Sequence, residues 1–398
     1  MFQLNFQPPI LMLELANILL DIDALGRMQA ETQNGMACQL SAAENAISDI
    51  CKDPDAARAR LNAAKTSWLT ADFTELPSHT ESLPAVPEKF TVVASDGSQI
   101  VPDKNQVALC YLLNASSIVL PYGTGARPEA RSIPRLCYKD EDLFERYENK
   151  KVPVTDKFLA IRRTLAESEA MEYAISRADT GSPVVALWDG SLIHWSIENE
   201  PADYKERVLS QLFRLFDLAQ ERRIPIAGYI SDPGSRDFTN TLKVMLCDAA
   251  HVNCDNCPHQ DEETKPCNKV DRLKDSSVLK KRLQGGKRSV LFTSCSKILN
   301  NYRQHKILAF YMDIGSEIVR VEVPEWVAED PEMLSLTHAV CYDQAQKGRG
   351  YPVALTEAHE HAVVRGPERA AFYQAIEHSC IKHGARIQRS RKRISKNY

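Results

Sequence analysis

Apolar residues recur at three- and four-residue spacing over residues 10–32 and about 41–70, which predicts two helices at the start of the chain. The second is Ala-rich and offers Leu61, Ala64 and Leu69 as core contacts. Residues 74–89 hold three prolines and no sustained period, so they read as a loop or linker. Short β-branched and apolar runs follow at 90–95, 106–113 and 116–120, and each reads as a strand. Residues 123–135 read as a loop, 155–177 as a helix and 183–188 as a buried strand. An amphipathic helix is expected over 202–223, with Tyr204, Val208, Leu212, Leu215 and Leu218 on one face, and a buried strand over 224–231. The stretch 247–285 is polar and carries cysteines, as an insertion would. Strands at 307–314 and 318–324 turn on Gly315, and a last helix begins near 355. Strands alternating with helices make the fold α/β, with at least part of the sheet parallel or mixed.

Composition narrows the class. Of 398 residues, 43% are hydrophobic and 26% charged, as in ordinary globular proteins. A net charge of −4 gives no global attraction to nucleic acid, so such contact must rest on local basic patches. No apolar run reaches the roughly 18 residues that span a bilayer. The N-terminal apolar stretch has no basic flank and carries Glu14, Asp21 and Asp23, unlike a signal peptide. A cytoplasmic protein is therefore expected, with the eleven cysteines as thiols or metal ligands rather than disulfides. The segment LQGGKRS at 283–289 is no P-loop, because Lys281 stands where the first glycine belongs.

Two strand-like runs end alike: TVVASDGSQI at 91–100 and VVALWDGSLI at 184–193. An Asp at the C-terminal end of a buried strand sits where α/β sheets place their ligands. Two such carboxylates, Asp96 and Asp189, form a hard oxygen site for Mn²⁺ or Mg²⁺. Asp-Gly is also a common turn, so each ending taken singly has a plain explanation. A two-metal phosphodiesterase needs further carboxylates. Glu169 and Glu172 fall at three- and four-residue spacing with Phe158, Ile161 and Leu165, either on the sheet-facing side or at its solvated edge. Near the C-terminus, GYPVALTEAHEHAVV supplies Tyr351 and His359, able to orient a phosphate or protonate a leaving oxygen. Its HEHAV does not match the His-Glu-x-x-His zinc pattern.

Cys247, Cys254, Cys257 and Cys267 follow C-x6-C-x2-C-x9-C spacing, with His251 and His259 interleaved. Four thiolates so spaced suit a structural zinc or an iron–sulfur cluster, and equally suit free thiols. The end of the chain carries Arg386, Arg389, Arg391, Lys392, Arg393 and Lys396 with no acidic residue. Such a tail can hold phosphates by counterion release or stay solvated.

The order ASDGS, Glu-bearing helix, LWDGSLIHW, AGYIS, RVEVPEWVA and GYPVALTEAHEHAV resembles the NurA family of DNA-repair nucleases, from about 88 to 375. The resemblance implies an RNase H-like mixed sheet flanked by helices and a homodimer. It further implies a Mn²⁺-dependent single-strand endonuclease and 5′-to-3′ exonuclease that processes double-strand-break ends with the hexameric ATPase HerA. Carried over, Asp96 and Asp189 are metal ligands, Glu169 or Glu172 is the third, and Tyr351 and His359 match the family's Tyr and His. The cysteine-bearing insertion departs from the family pattern. So does DPGSRDF after GYIS, where a basic residue is common and Arg236 is the nearest substitute. The expected organisation is an N-terminal helical region with linker (1–87), a nuclease domain (88–380, with 247–285 inserted) and a basic tail (381–398). Two other readings stay open: a non-catalytic DNA-end or ATPase-docking subunit, and an RNase H-like enzyme acting on RNA.

Overall fold

In a computed structural model of the chain, residues 15–385 are described, except 74, 103–106 and 263. The basic tail from 386 onward and the first five residues of the expected 10–32 helix lie outside them. Where two helices were expected, α1 runs unbroken from Leu19 to Lys52. It stops at Asp53-Pro54, where the Asp53 side chain caps Ala56 N–H and Pro54 opens α2 (Pro54–Ala63). The helix expected over about 41–70 is therefore broken at Asp53 and ends at Ala63, and residues 71–73 beyond it form an edge strand.

Seven longer strands build the centre: β1 (Phe90–Ile100), β2 (Tyr111–Tyr122), β3 (Glu129–Cys137), β4 (Val184–Asp189), β5 (Ile226–Ile230), β6 (Ile307–Asp313) and β7 (Ile318–Pro324). They lie in the order β6-β7-β5-β4-β1-β2-β3 within one sheet. β1, β2 and β3 pair antiparallel, whereas β4 runs parallel to β1 and to β5. β7 closes antiparallel against β5 and β6. Three antiparallel strands continued by parallel crossovers make a mixed α/β sheet of RNase H-like order.

Three strand expectations change. β1 does not end at Asp96; it stays paired with β2 as far as Ile100 opposite Leu112. The runs at 106–113 and 116–120 form one strand, β2, which begins at Tyr111. Of the stretch 123–135, read as loop, residues 129–135 belong to the edge strand β3 (Glu129–Cys137). Eight of its nine residues are at least partly exposed, so it has no alternation to read.

Helices α3 (Asp156–Arg177) and α4 (Ala202–Glu221) cover one face, burying Val93, Ala186, Trp188, Met171, Leu212 and Phe216. After α5 (Asp237–Leu246), the chain returns as α6 (Pro331–Lys347), α7 (Val353–Ala362) and α8 (Gly366–Lys382). α6 and α7 cover the other face, against Val92, Ala94, Leu187, Phe310 and Val321. A third core joins the end of α1 to α5 and the cysteine-bearing segment through Ile47, Phe238, Val270 and Leu283. Among the described residues, no helix is long and apolar enough to cross a membrane.

Candidate active site

The parallel register of β1 and β4 ends with Ser95 opposite Trp188. The next residues are Asp96 and Asp189, so the ladder itself sets two carboxylates side by side. Alternation turns them toward the face that carries Ala94 and Leu187. α7 lies on that face. Tyr351, just before it, donates its hydroxyl to Asp189 Oδ1 at 2.6 Å and packs edge-on against the buried ring of Tyr229. His359 Nδ1 lies 2.9 Å from Asp96 Oδ2, and its ring stays largely exposed.

The seating of α7 fixes His359. Its C-terminal half is held by side chains from the two strands beneath, two of them at the final carbonyl, which has no partner within the helix. Ser98 Oγ and Asn114 Nδ2 both donate to Ala362 O, at 2.5 and 2.7 Å, and Ser116 Oγ donates to Ala358 O at 2.7 Å. Ser116 also accepts from the Asp96 amide at 3.2 Å.

A third carboxylate arrives from the opposite face. Glu167 on α3 lies over Gly97, where a Cβ would stand 2.6 Å from its Oε1. Only glycine leaves room for that approach. Burial pushes the Glu167 carboxyl up to about 7; the Arg163 guanidinium at 3.1 Å opposes this, and Asp96 and Asp189 add to it. Burial also raises Asp189, against the Tyr351 hydrogen bond and with a contribution from Asp96. The Tyr351 phenol is held far above its ordinary range, first by burial and then by its bond to Asp189. Burial and neighbouring negative charge both disfavour the ionised forms of Glu167 and Asp189, so a cation here would stabilise the site. As placed, no three His, Cys, Asp or Glu side chains among the described residues enclose a metal ion. The donor set is nevertheless that of a hard divalent cation: carboxylate oxygens from three elements, with mutual repulsion to relieve.

Residues 90–364, which are 275 of the 398, match the NurA domain family. The chain belongs to the NurA domain family. No curated protein matches it. Among solved structures, the NurA nuclease from Sulfolobus solfataricus is similar at 14% identity and TM-score 0.48, over 76% of this chain and 88% of that one. A NurA structure with manganese shares 10% identity at TM-score 0.38, covering 87% and 96%. The catalytic domain of human Endonuclease V shares 16% at TM-score 0.30, covering 80% and 95%.

Within this NurA domain, Glu169 and Glu172 do not reach the aspartates. Glu169 is exposed, accepts from Gln211 Nε2 on α4 at 2.9 Å, and lies 3.9 Å from Arg135 on β3. Glu172 is half-buried beside Arg214 of α4, and burial raises its carboxyl. α3 meets two partners, the sheet and α4. The Phe158–Ile161–Leu165 stripe, prolonged through Glu169 and Glu172, leads toward α4. The row that meets β1 is Arg163 and Glu167, continued by buried Ala170, Met171 and Ala174. In the sequence this row offers only Ala170 and Ala174, three and seven residues after Glu167, as a sign that it packs on the sheet.

For the cysteines, two readings were open, a structural metal or free thiols. Cys247, Cys254, Cys257 and Cys267 are free thiols and do not enclose a metal. The Cys254 amide is drawn to Lys65 O at 2.8 Å, where Asn253 bridges to Lys65. His259 is held between Asp248 and Glu262, at 2.5 and 2.8 Å. Arg236 donates to Asp271 O at 3.1 Å, and Asp232 pairs with Lys274 at 3.1 Å. Neither is in contact with Asp96, Asp189 or Glu167.

Proposed function

We propose that this NurA domain is a metal-dependent nuclease that hydrolyses phosphodiester bonds in DNA at the Asp96–Asp189–Glu167 site. The observation that carries the reading is the convergence of these three carboxylates from β1, β4 and α3, with Glu167 pushed up to about 7. Mn²⁺ or Mg²⁺ held by them would supply Lewis-acid stabilisation of phosphoryl charge and an activated water. The protein's own groups orient the reaction around that site. Tyr351 keeps its proton and fixes Asp189 Oδ1. Its bond to Asp96 through Nδ1 leaves His359 Nε2 free on the open side, placed to hand a proton to a departing oxygen.

Family membership supports DNA as substrate, with single-strand endonuclease and 5′-to-3′ exonuclease activity on double-strand-break ends. It also supports a homodimer working with a HerA-type hexameric ATPase. The decisive experiment is cleavage of labelled single-stranded DNA by purified protein with Mn²⁺, alongside Asp96→Asn and Asp189→Asn. Each variant should lose about 10³-fold or more, the scale of losing a metal-held catalytic centre. Equal cutting by all three proteins would sink the assignment. A matched RNA oligonucleotide, and addition of the ATPase, test the substrate and the partner in the same assay.

A further inference from the structure

We propose that Glu322 is a positioning residue for this site: it tethers the segment after Asp189 from two strands away. The inference rests on the nuclease reading above. Glu322 lies on β7 with 1% of its surface exposed, and Arg320 beside it with 2%. A buried carboxylate persists only where its oxygens are paired. Its Oε1 accepts from Arg320 Nε at 2.9 Å. Its Oε2 does not serve its own strand. It accepts from Ser191 Oγ at 2.7 Å and from the Leu192 amide at 2.9 Å, two and three residues past Asp189.

The strand between them makes the reach possible. Gly228 on β5 stands opposite both Trp188 and Glu322. A Cβ there would lie 2.6 Å from Gly190 O and 3.0 Å from Leu192 Cγ. The bare glycine lets residues 190–192 cross β5 and meet the carboxylate. On the far side, Tyr302 accepts from the His194 amide and donates to Leu192 O, at 2.8 and 3.0 Å. The backbone that carries Asp189 is thereby clamped immediately downstream. Arg320 extends the chain to Asp237 at the start of α5, 3.4 Å away. Glu322 touches neither Asp96 nor Asp189, so its effect on the reaction passes through the backbone.

The test compares the parent, Glu322→Gln and Ser191→Ala in three measurements: Mn²⁺ affinity by calorimetry, kcat and KM on single-stranded DNA, and amide exchange of residues 186–196. Glu322→Gln should weaken Mn²⁺ binding about 3–10-fold and lower kcat, with KM for DNA nearly unchanged. That is less than partners bonded directly to a metal ligand give, because Glu322 acts one step further away through the backbone. Added Mn²⁺ should restore part of the rate, which a purely structural lesion would not allow. Ser191→Ala leaves the Glu322–Arg320 pair intact and removes two bonds, from Ser191 Oγ to Glu322 Oε2 and from the Ile193 amide to Ser191 Oγ, a change of about 2–10-fold. It keeps the proposal testable where Glu322→Gln fails to fold. Folded variants with affinity, kcat and exchange all within about twofold of the parent would overturn the proposal. If the parent neither binds Mn²⁺ nor cuts, the nuclease reading falls. Exchange then decides the tether alone: faster at Leu192, whose amide Glu322 holds, in both variants upholds it, and unchanged rates there end it.

Discussion

Glu167 and Glu169 stand two residues apart on α3, and so on different sides of the helix, and they differ in everything that matters for chemistry. One lies over Gly97 beside two aspartates; the other is exposed and bonded to Gln211. Glu167→Gln should therefore cost about 100-fold or more in Mn²⁺-supported cleavage, whereas Glu169→Gln should stay within about twofold. A steady-state assay of both variants at fixed Mn²⁺ checks this, and the reverse ranking would return the third carboxylate to Glu169. The pairing of the two aspartates was legible because an apolar run closed by Asp-Gly-Ser is a local pattern, and β1 and β4 happen to be parallel neighbours, although β1 itself runs on past Asp96. The glutamate was not, because α3 packs on two partners. Its apolar stripe toward α4 is the more visible one, and Arg163, Glu167, Ala170 and Ala174 look like an ordinary solvated row.

At the scale of elements, α7 depends on strands far away in sequence. Asn114 stands opposite Ser98 in the β1–β2 ladder, and both reach the same carbonyl at the end of α7. Asn114→Ala should destabilise the fold by about 1–3 kcal/mol, since it leaves buried acceptors with fewer donors. Ser116→Ala should cost a similar amount and also reduce cleavage, because Ser116 ties the Asp96 backbone to the carbonyl one residue before His359. Urea unfolding of both variants, with activity measured beside it, separates the two effects; a loss under about 0.5 kcal/mol would show that water replaces these donors. Most buried strands were legible as apolar runs. β3 was not, being a polar edge strand. Nor was the continuation of β1 through Asp-Gly-Ser, where pairing with β2 overrides the turn propensity of Asp-Gly.

Over the whole molecule, polar groups sit deep in a structure whose composition looks ordinary. The third core, which binds the end of α1 to the cysteine-bearing segment, pairs residues more than 200 positions apart, and no local period announces it. Buried histidines give this scale a measurable signature. His338 on α6 has 1% of its surface exposed and bonds Gly286 O through Nε2 at 2.8 Å, while its Nδ1 has no partner. Burial lowers its pKa to about 4, the Gly286 bond opposing and Arg288 adding to the shift. Above pH about 6.5 the ring is neutral in both folded and unfolded chains, and it contributes no slope. Between about 6.5 and 4, the unfolded chain takes up a proton that the folded chain refuses, so stability must fall with pH across that window. The loss approaches about 3 kcal/mol by the bottom of the window and about 2 kcal/mol by pH 5. Below about 4 the folded ring protonates as well and this contribution levels off. His338→Gln cannot titrate, so its urea midpoint should drop less between pH 7 and pH 5 than that of the parent, by an amount equivalent to about 2 kcal/mol. Parallel pH profiles for the two proteins would mean that the His338 ring opens to solvent and takes its proton in the folded state.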